Sequence, residues 1–339
     1  MKTRRVSAGL QFSVAVLVLF GLLGLTQVTF AQNGQNGADI QEGQEPPETA
    51  LPQWLQMERG IKAYDEGKLG SALRIFRTVA EDDPMLANVH MWIGHVFAAE
   101  GEYTAAKAKY KDALEEQRNF FPQSERTNAY YSLAEVHRRL EEWDEMQFYL
   151  QKVVDEAQTQ ALPEERAQAM VNKFLSEGPD KLLELYRLTD KPVRKAYEQL
   201  GEISLQQQQY ERAVRQLLLS LTTSFSIAIE HHQARDPEYS FIRYDMNPGL
   251  EEFFVENTEL LLEESRSVPL LQEYFEAVGL YRQLYLLGMA MLGIDEAEKA
   301  EKIWLMVTEY RRSGIWANLA RNQIGNPSLE VLPVVLHYR

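Results

Sequence analysis

The 339-residue chain contains no cysteine. This absence excludes a disulfide-stapled fold, a thiolate zinc site and the cysteine-linked lipid of a bacterial lipoprotein. Alternating strand-like patterns are almost absent too, and only the stretch from Leu329 to Tyr338 suits a short extended tail. A chain of this size without cross-links must hold its fold by burying apolar surface, which its 45% of apolar residues allow.

Basic residues are scarce relative to acidic ones. The chain has 35 Lys and Arg against 50 Asp and Glu, and three of the basic residues, Lys2, Arg4 and Arg5, lie near the N-terminus. This balance argues against nucleic acid as a partner, and against an anionic membrane bound through bulk charge. It favours a basic partner or simply solubility.

Catalytic and cofactor motifs are missing as well. No nucleophile elbow, HExxH zinc motif, phosphate-binding loop or dinucleotide fingerprint occurs. We therefore predict no enzyme, no catalytic residue, no cofactor and no metal site. His231 and His232 have acidic neighbours, but adjacent residues of a helix point about 100° apart, so a polar helix end is the simpler interpretation. His90 and His95 are five residues apart, not the four that place two ligands on one helix face.

Residues 1–31 have the three parts of a secretory signal peptide. A basic start precedes an apolar run from Val14 to Leu25, and small residues surround Ala31. We expect cleavage after Ala31 and an exported, periplasmic protein. The alternative is an uncleaved helix that anchors the chain in the inner membrane, because Phe12 to Ala31 is just long enough to cross a bilayer.

Residues 32–52 are rich in Gln, Gly, Glu and Pro and contain few large apolar residues, which predicts a disordered linker. From Gln53 onward, apolar residues recur at three- and four-residue spacing between turn signals such as Gly67 and Gly101. This pattern predicts an all-α chain of about a dozen helices.

Small and large residues recur in a fixed order along the helical part. A first set of small residues comprises Gly60, Gly94, Ala134, Gly201 and Gly288. Twelve residues after each come Ala72, Ala106, Met146, Ala213 and Ala300. Four residues further come Phe76, Tyr110, Leu150, Leu217 and Trp304. The first two units are 34 residues apart, whereas the later ones are irregularly spaced.

This order of residues resembles the tetratricopeptide repeat, in which two antiparallel helices touch at small residues and a large residue fills the space beside the contact. The resemblance covers about half of the chain beyond the signal segment. It implies an α-solenoid of antiparallel helix pairs, stacked into a right-handed superhelix. Residues 163–188 and 248–280 look helical without carrying the repeat residues.

The predicted organisation has seven segments. They are a signal peptide at 1–31, a linker at 32–52, repeats 1–3 at 53–156, a helical segment with repeat 4 at 157–229, a loop insertion at 230–250, C-terminal helices with repeat 5 at 251–326, and a tail at 327–339. The loop insertion is predicted because Asp236-Pro237 and Asn247-Pro248 are turn signals with no helical periodicity between them.

The resemblance also implies that the first helix of each pair lines a concave groove. The groove residues of the first three units would be Met57, Ile61, Tyr64, Asn88, Met91, His95, Asn128, Tyr131 and Arg138. The carboxylate clamp of the chaperone-adaptor members is absent, because Met57 and Ile61 occupy the matching places. An aromatic, methionine and amide surface suits an extended or helical peptide. Alternatively, Met57, Ile61 and Met91 are ordinary core between neighbouring units.

Together these features predict an exported, non-enzymatic scaffold or adaptor that mediates protein–protein interactions in the cell envelope. Its partner would be a peptide or protein segment. Two alternatives remain open. The chain would be the solenoid part of a cell-wall-acting enzyme, with a catalytic Glu within residues 230–254, or a membrane-tethered structural organiser with an uncleaved N-terminus.

Overall fold

The computed structural model describes residues 51–157, 163–242, 253–309 and 313–331. Within these ranges the chain forms fourteen α-helices and no strand. The helices are α1 Gln53–Asp65, α2 Leu69–Asp82, α3 Ala87–Ala99, α4 Tyr103–Glu115, α5 Glu125–Arg139, α6 Trp143–Ala157, α7 Glu164–Leu185, α8 Lys191–Gln206, α9 Tyr210–Arg235, α10 Glu256–Ser265, α11 Pro269–Ala277, α12 Leu280–Gly293, α13 Ala297–Thr308 and α14 Ile315–Gly325.

Ten of the described helices form five hairpins: α1/α2, α3/α4, α5/α6, α8/α9 and α12/α13. The hairpins stack in order, because α2 packs on α3, α4 on α5, α6 on α8 and α9 on α12, and α14 packs on α13. The predicted all-α solenoid of tetratricopeptide-like helix pairs is therefore confirmed. The right-handed sense of the superhelix stays a prediction.

The recurring small residues lie where the two helices of a hairpin touch. A Cβ atom added to Gly60 would lie 2.4 Å from the Phe76 ring, and one added to Gly288 would lie 2.3 Å from Nε1 of Trp304. Gly94 and Gly201 meet Tyr110 and Leu217 in the same way. Four of the five hairpins thus bring their backbones together at the glycine and fill the adjacent space with the large residue.

All five hairpins turn in the same way. The residue after each first helix is followed by one with positive φ, namely Gly67, Gly101, Glu141, Gln208 and Asp295. The next N–H then reaches back to a carbonyl in the last turn of the first helix, for example from Lys68 to Ala63 at 2.8 Å and from Gln209 to Ser204 at 2.8 Å. These are the left-handed helix ends of the Schellman type, and they give every hairpin the same geometry.

Two insertions interrupt the stack without disturbing its order. Helix α7 follows α6 and packs on α9, while α6 itself packs directly on α8. Helices α10 and α11 lie between α9 and α12 in the chain, and α10 packs back on α7. Gly178 breaks α7 with φ +80°, and a Cβ there would lie 2.3 Å from the Phe254 carbonyl oxygen. The two insertions therefore meet at this break.

Asp180 fastens the two insertions together. Its carboxylate accepts hydrogen bonds from the backbone N–H of Asn257 at 2.7 Å, and from the N–H and hydroxyl of Thr258 at 2.9 and 2.6 Å. The N-cap residue of α10 is Val255, whose side chain makes no capping hydrogen bond. A carboxylate of α7 thus caps the N-terminus of a helix 77 residues further along the chain.

Some predicted boundaries were wrong. The loop insertion was placed at 230–250, but α9 continues to Arg235 and ends only where Asp236 precedes a proline, which disfavours the helical conformation. Leu51 and Pro52 were assigned to the linker, yet the Pro52 carbonyl accepts the first hydrogen bonds of α1. At the predicted extended tail, residues Leu329–Val331 form a 3-10 turn instead. The signal peptide, linker residues 32–50, residues 243–252 and residues 332–339 lie outside the described ranges.

The core grows along the stack. The first hairpins enclose small clusters, such as the one built around Phe76, Val79 and Ile93. The largest cluster joins α7, α9, α12 and α13, with Phe174, Tyr285 and Trp304 fully buried. In the described part of the chain, no helix combines the length and apolar character needed to cross a bilayer.

Candidate partner-binding surface

The first helices of the five hairpins carry a surface that we call the first-helix face. It consists of the residues at six and three positions before each small repeat residue, and one and four positions after it. In units 1–3 these are Trp54, Met57, Ile61, Tyr64, Asn88, Met91, His95, Ala98, Asn128, Tyr131, Glu135 and Arg138. In units 4 and 5 they are Lys195, Glu198, Glu202, Leu205, Arg282, Tyr285, Met289 and Leu292.

Two residues of this face, Tyr64 and His95, form an aromatic cluster with the neighbouring Trp92 of α3. The ring of Tyr64 lies 5.5 Å from that of Trp92, and Trp92 lies 5.1 Å from His95. His95 Nδ1 is 2.8 Å from the Tyr110 hydroxyl. Burial lowers the pKa of His95 to about 4, so this imidazole is neutral at pH 7. The cluster therefore presents a neutral aromatic surface.

Three predicted groove residues in this region belong wholly or partly to the core. Met91 is only 2% exposed and packs among Ala106, Tyr110 and Leu133. Met57 and Ile61 are half-buried against the cluster around Phe76. The alternative interpretation as core thus describes Met91 fully, and describes Met57 and Ile61 in part. Of the six predicted residues in units 1 and 2, Met91 is buried and the other five are partly exposed.

Asn88 holds a neighbouring connection rather than an open groove. Its side-chain amide donates to the Phe121 carbonyl at 2.9 Å, and its side-chain oxygen accepts the Phe121 N–H at 2.8 Å. This pair of hydrogen bonds fixes the chain between α4 and α5 against the start of α3. The amide predicted to bind a peptide is therefore already bound to the chain's own backbone.

In unit 3, Tyr131 bridges two hairpins. Its hydroxyl donates to the Pro192 carbonyl at the start of α8, and the Lys195 ammonium lies 5.5 Å from its ring centre. Burial raises the pKa of Tyr131 well above its ordinary value, so it stays protonated and able to donate. Asn128, one turn earlier, is exposed and bonds to Glu125 at 2.9 Å. Tyr131 is therefore both a surface residue and part of the joint between α5 and α8.

Ion pairs lie on the first helices of units 3, 4 and 5, and Arg138 forms the pair of unit 3. It donates to Glu135 at 2.7 Å, and these hydrogen bonds raise its pKa, with the Glu202 charge of α8 adding to the effect. On α8, Glu198 pairs with Arg194 at 3.1 Å and with Arg282 of α12 at 3.6 Å. Arg282 also pairs with Glu202. Ion pairs thus connect α8 to α12, while α5 carries its own pair next to them.

Glu198 is the most perturbed carboxyl of this network. It is 14% exposed, and burial together with the nearby Glu202 charge raises its pKa to about 7 in spite of the two arginines. Gln283 adds neutral contacts, because it donates to the Val278 carbonyl at 2.5 Å and accepts from the Ser220 hydroxyl at 2.8 Å. The junction between units 4 and 5 is therefore polar and densely hydrogen-bonded.

The sequence prediction stopped at unit 3 and missed Glu135, Glu198, Glu202 and Arg282. The sequence could have revealed three of them, because the positions that define the face, counted from Gly201 and Gly288, include Glu198, Glu202 and Arg282. The irregular spacing of units 4 and 5 hid these positions. All three residues lie on the face that the first three units define.

In the described residues, no group of three or more His, Asp or Glu side chains is arranged to hold a metal ion. His232 stacks on Tyr239 at 4.2 Å, whereas His231 faces Tyr274 at 5.9 Å. His90 Nε2 is 2.7 Å from the Pro84 carbonyl. The adjacent histidines therefore face different neighbours, as the helical geometry predicted.

Comparison with known proteins gives one sequence relative and several similar folds. No family model matches the chain. A protein of Treponema pallidum (strain Nichols), described as uncharacterized, is 27% identical over 181 residues, and the match spans 50% of this chain and 48% of that protein. The chain thus spans about half the length of this curated relative.

Solved structures with similar helix arrays include MamA, which has 13% identity and a TM-score of 0.41 over 80% of this chain and 93% of that one. YrrB, titled a TPR protein with an unusual peptide-binding site, has 14% identity and a TM-score of 0.43 over 79% and 90%. Pseudomonas aeruginosa PilF has 15% identity and a TM-score of 0.37 over 80% and 97%. These scores are low, so the assignment as a tetratricopeptide-like solenoid rests on the hairpins and their small-residue contacts.

Proposed function

We propose that the chain is an exported, non-enzymatic scaffold that binds a peptide or protein segment along the first-helix face. The observation that carries this proposal is the continuity of the face. It runs across the first four stacked hairpins and changes from a neutral aromatic surface in units 1 and 2 to a charged, ion-paired surface in units 3 and 4. In unit 5 the face is covered, because Tyr285 and Met289 are fully buried.

Rigid support makes such a face suitable for recognition. Its side chains are held by contacts between hairpins, such as Tyr131 with Pro192 and Arg282 with Glu198. A partner that docks there orders its own chain, while the scaffold loses little freedom because its side chains are already fixed. The aromatic half would take apolar side chains of the partner, and the ion-paired half would take its polar groups.

Photo-crosslinking in cells tests the binding face. The full chain would carry a photoreactive phenylalanine analogue at Asn128 or at Lys195, two exposed residues of the face. The matched control carries it at Phe148, which is 54% exposed on the second helix of unit 3. We expect a common adduct from the two face positions and none from the control. An adduct that forms equally from Phe148 contradicts the proposal.

Export is tested separately by intact-mass measurement on the protein recovered from the cell envelope. Cleavage after Ala31 predicts a mass that lacks residues 1–31. Retention of the whole N-terminus in the envelope fraction instead supports the membrane-anchored organiser. The binding face and the export signal are independent, so either result leaves the crosslinking test interpretable.

A further inference from the structure

Three large apolar side chains are exposed along one edge of the first three hairpins. They are Trp54, Met85 and Phe121, which are 67%, 55% and 85% exposed. Trp54 lies in the first turn of α1, Met85 between α2 and α3, and Phe121 between α4 and α5. Because the hairpins are antiparallel, these three places share one edge of the stack, which we call the apolar edge.

Hydrogen bonds tie the connections of this edge to one another. The Asn119 amide donates to the Met85 carbonyl at 3.1 Å, and the Gln53 amide lies 3.5 Å from the Asp83 carboxylate. Each connection thus lies beside the next, so the three side chains follow one another along the edge.

Phe121 is presented rigidly. Both polar groups of its backbone bond to the Asn88 side chain, at 2.9 and 2.8 Å. The residue before it, Phe120, is 2% exposed and anchors the connection in the core. A large aromatic ring held in solvent by a fixed backbone loses little freedom when it is covered, which is the property of residues that dominate binding interfaces.

The charges around Met85 and Phe121 are mostly negative. Residues 81–86 and 115–125 contain six carboxylates and one guanidinium. The carboxylates are Glu81, Asp82, Asp83, Glu115, Glu116 and Glu125, and the guanidinium is Arg118. Apolar anchors surrounded by negative charge complement a segment that alternates large apolar residues with Lys or Arg. The same charges would repel a second copy of this edge and an anionic bilayer.

We propose that the apolar edge is a second docking surface, which shares only Trp54 with the first-helix face, and that it binds a basic amphipathic segment of another protein. The apolar side chains of that segment cover Met85 and Phe121, and its Lys and Arg side chains pair with the surrounding carboxylates. Both Met85 and Phe121 lie in connections rather than on first helices. Substitutions there therefore leave the first-helix face intact.

Selection from random phage-displayed peptides tests the proposal, with the full chain as bait. The comparison baits are the double variant Met85→Ser/Phe121→Ser and the control Phe148→Ser, in which a ring that is 54% exposed is removed from α6. All substituted side chains are largely in solvent, so folding is unaffected and is checked by circular dichroism. We expect the selected peptides to be rich in Lys, Arg and large apolar residues. They should bind wild type and the control with equal affinity, and should bind the double variant at least about tenfold more weakly. Their affinity should fall as salt is added.

Two results would overturn the proposal. One is that the selected peptides bind the double variant as tightly as they bind wild type, or that the peptides that do bind it more weakly are acidic or uncharged. The other comes from sedimentation with vesicles of phosphatidylcholine and phosphatidylglycerol. If vesicle binding is lost in the double variant and kept in the control, the occupant of the edge is a lipid surface instead.

Discussion

At the residue scale, the hairpin turns show how one backbone conformation is reached by different side chains. Gly67 and Gly101 occupy the positive-φ position in units 1 and 2, whereas Glu141, Gln208 and Asp295 occupy it in units 3–5. A side chain with a Cβ costs about 1–2 kcal/mol in the left-handed region, a cost that glycine avoids. Units 3–5 therefore carry strained turns that units 1 and 2 do not.

We predict that Gln208→Gly increases the free energy of unfolding by about 1 kcal/mol, because it removes this cost at a position that is exposed and makes a standard turn. Gly67→Ala, for which the structure offers open space, should decrease it by a similar amount. Urea denaturation of the two variants beside wild type measures both changes. Equal stability of all three proteins would contradict the assignment of strain to the turn.

The sequence did not reveal these strained turns. The glycines at 67 and 101 are recognisable turn signals, but Glu141, Gln208 and Asp295 are not. Their conformation follows from the hydrogen bond that closes each turn, for example from Glu142 N–H to the His137 carbonyl at 2.9 Å. Similarly, the sequence pattern could not show that the Asn88 side chain is hydrogen-bonded to the Phe121 backbone, since the two residues are 33 positions apart.

The raised pKa of Glu198 predicts how the stability of the fold depends on pH. Its pKa of about 7 in the folded chain exceeds the ordinary value of 4.5, so between these values the folded chain binds a proton that the unfolded chain does not. This group therefore adds stability as pH falls from about 7 towards 4.5, and that contribution is lost as pH rises through 7. Glu198→Gln should remove this part of the pH dependence and leave the variant at least as stable as wild type at about pH 8.

The control for this prediction is Glu135→Gln. Burial raises the pKa of Glu135, but hydrogen bonds and charge from Arg138 outweigh that effect and lower it overall. Its contribution to stability is present above the ordinary value of 4.5 and is lost as pH falls through the lowered value. Denaturation curves across the pH range should therefore change in the neutral window for Glu198→Gln and in the acidic window for Glu135→Gln. A Glu198→Gln profile parallel to wild type would refute the raised pKa.

At the scale of elements, the two insertions depend on each other through Asp180. The helical character of α7, α10 and α11 could be predicted from their periodicity, although they lack the repeat residues. Their mutual contact could not, because the partners of Asp180 are 77 and 78 residues away and a capping carboxylate normally comes from the same segment. Long-range polar contacts of this kind leave no spacing pattern in a sequence.

We predict that Asp180→Ala lowers the free energy of unfolding by about 1–3 kcal/mol, because it leaves the first N–H groups of α10 without a partner. Amide hydrogen exchange should quicken in α10 and remain unchanged in α1–α4. Thr258→Val removes only one of the three hydrogen bonds and should have a smaller effect. Equal exchange of α10 in Asp180→Ala and wild type would show that the cap is dispensable.

At the scale of the whole molecule, stability should rise along the stack. Helix α1 has two buried residues, Gln56 and Gly60, and its hairpin packs on one neighbouring hairpin. Helix α9 has 17 buried residues and packs on α7, α8, α11 and α12. In repeat proteins each unit is stabilised by its own contacts and those with its neighbours, so terminal units open first.

Native-state hydrogen exchange should therefore show the lowest opening free energy for amides of α1 and α2 and the highest for those of α9 and α12. Measurement at increasing sub-denaturing urea concentrations separates local opening from global unfolding. A single opening free energy for all helices would mean that the stack unfolds as one unit. The order of the hairpins was predictable from the repeat residues, but this gradient was not, because it depends on how the insertions add to the core.

The direct packing of α6 on α8 has a mechanical consequence. Since the inserted helices lie beside the stack rather than within it, units 4 and 5 are backed by a second layer, while units 1–3 are a single layer of hairpins. A pulling or bending force would therefore deform the first three units more than units 4 and 5. The apolar edge and the aromatic cluster thus lie in the single-layered half of the stack, where the hairpins can bend relative to one another while each side chain keeps its local support.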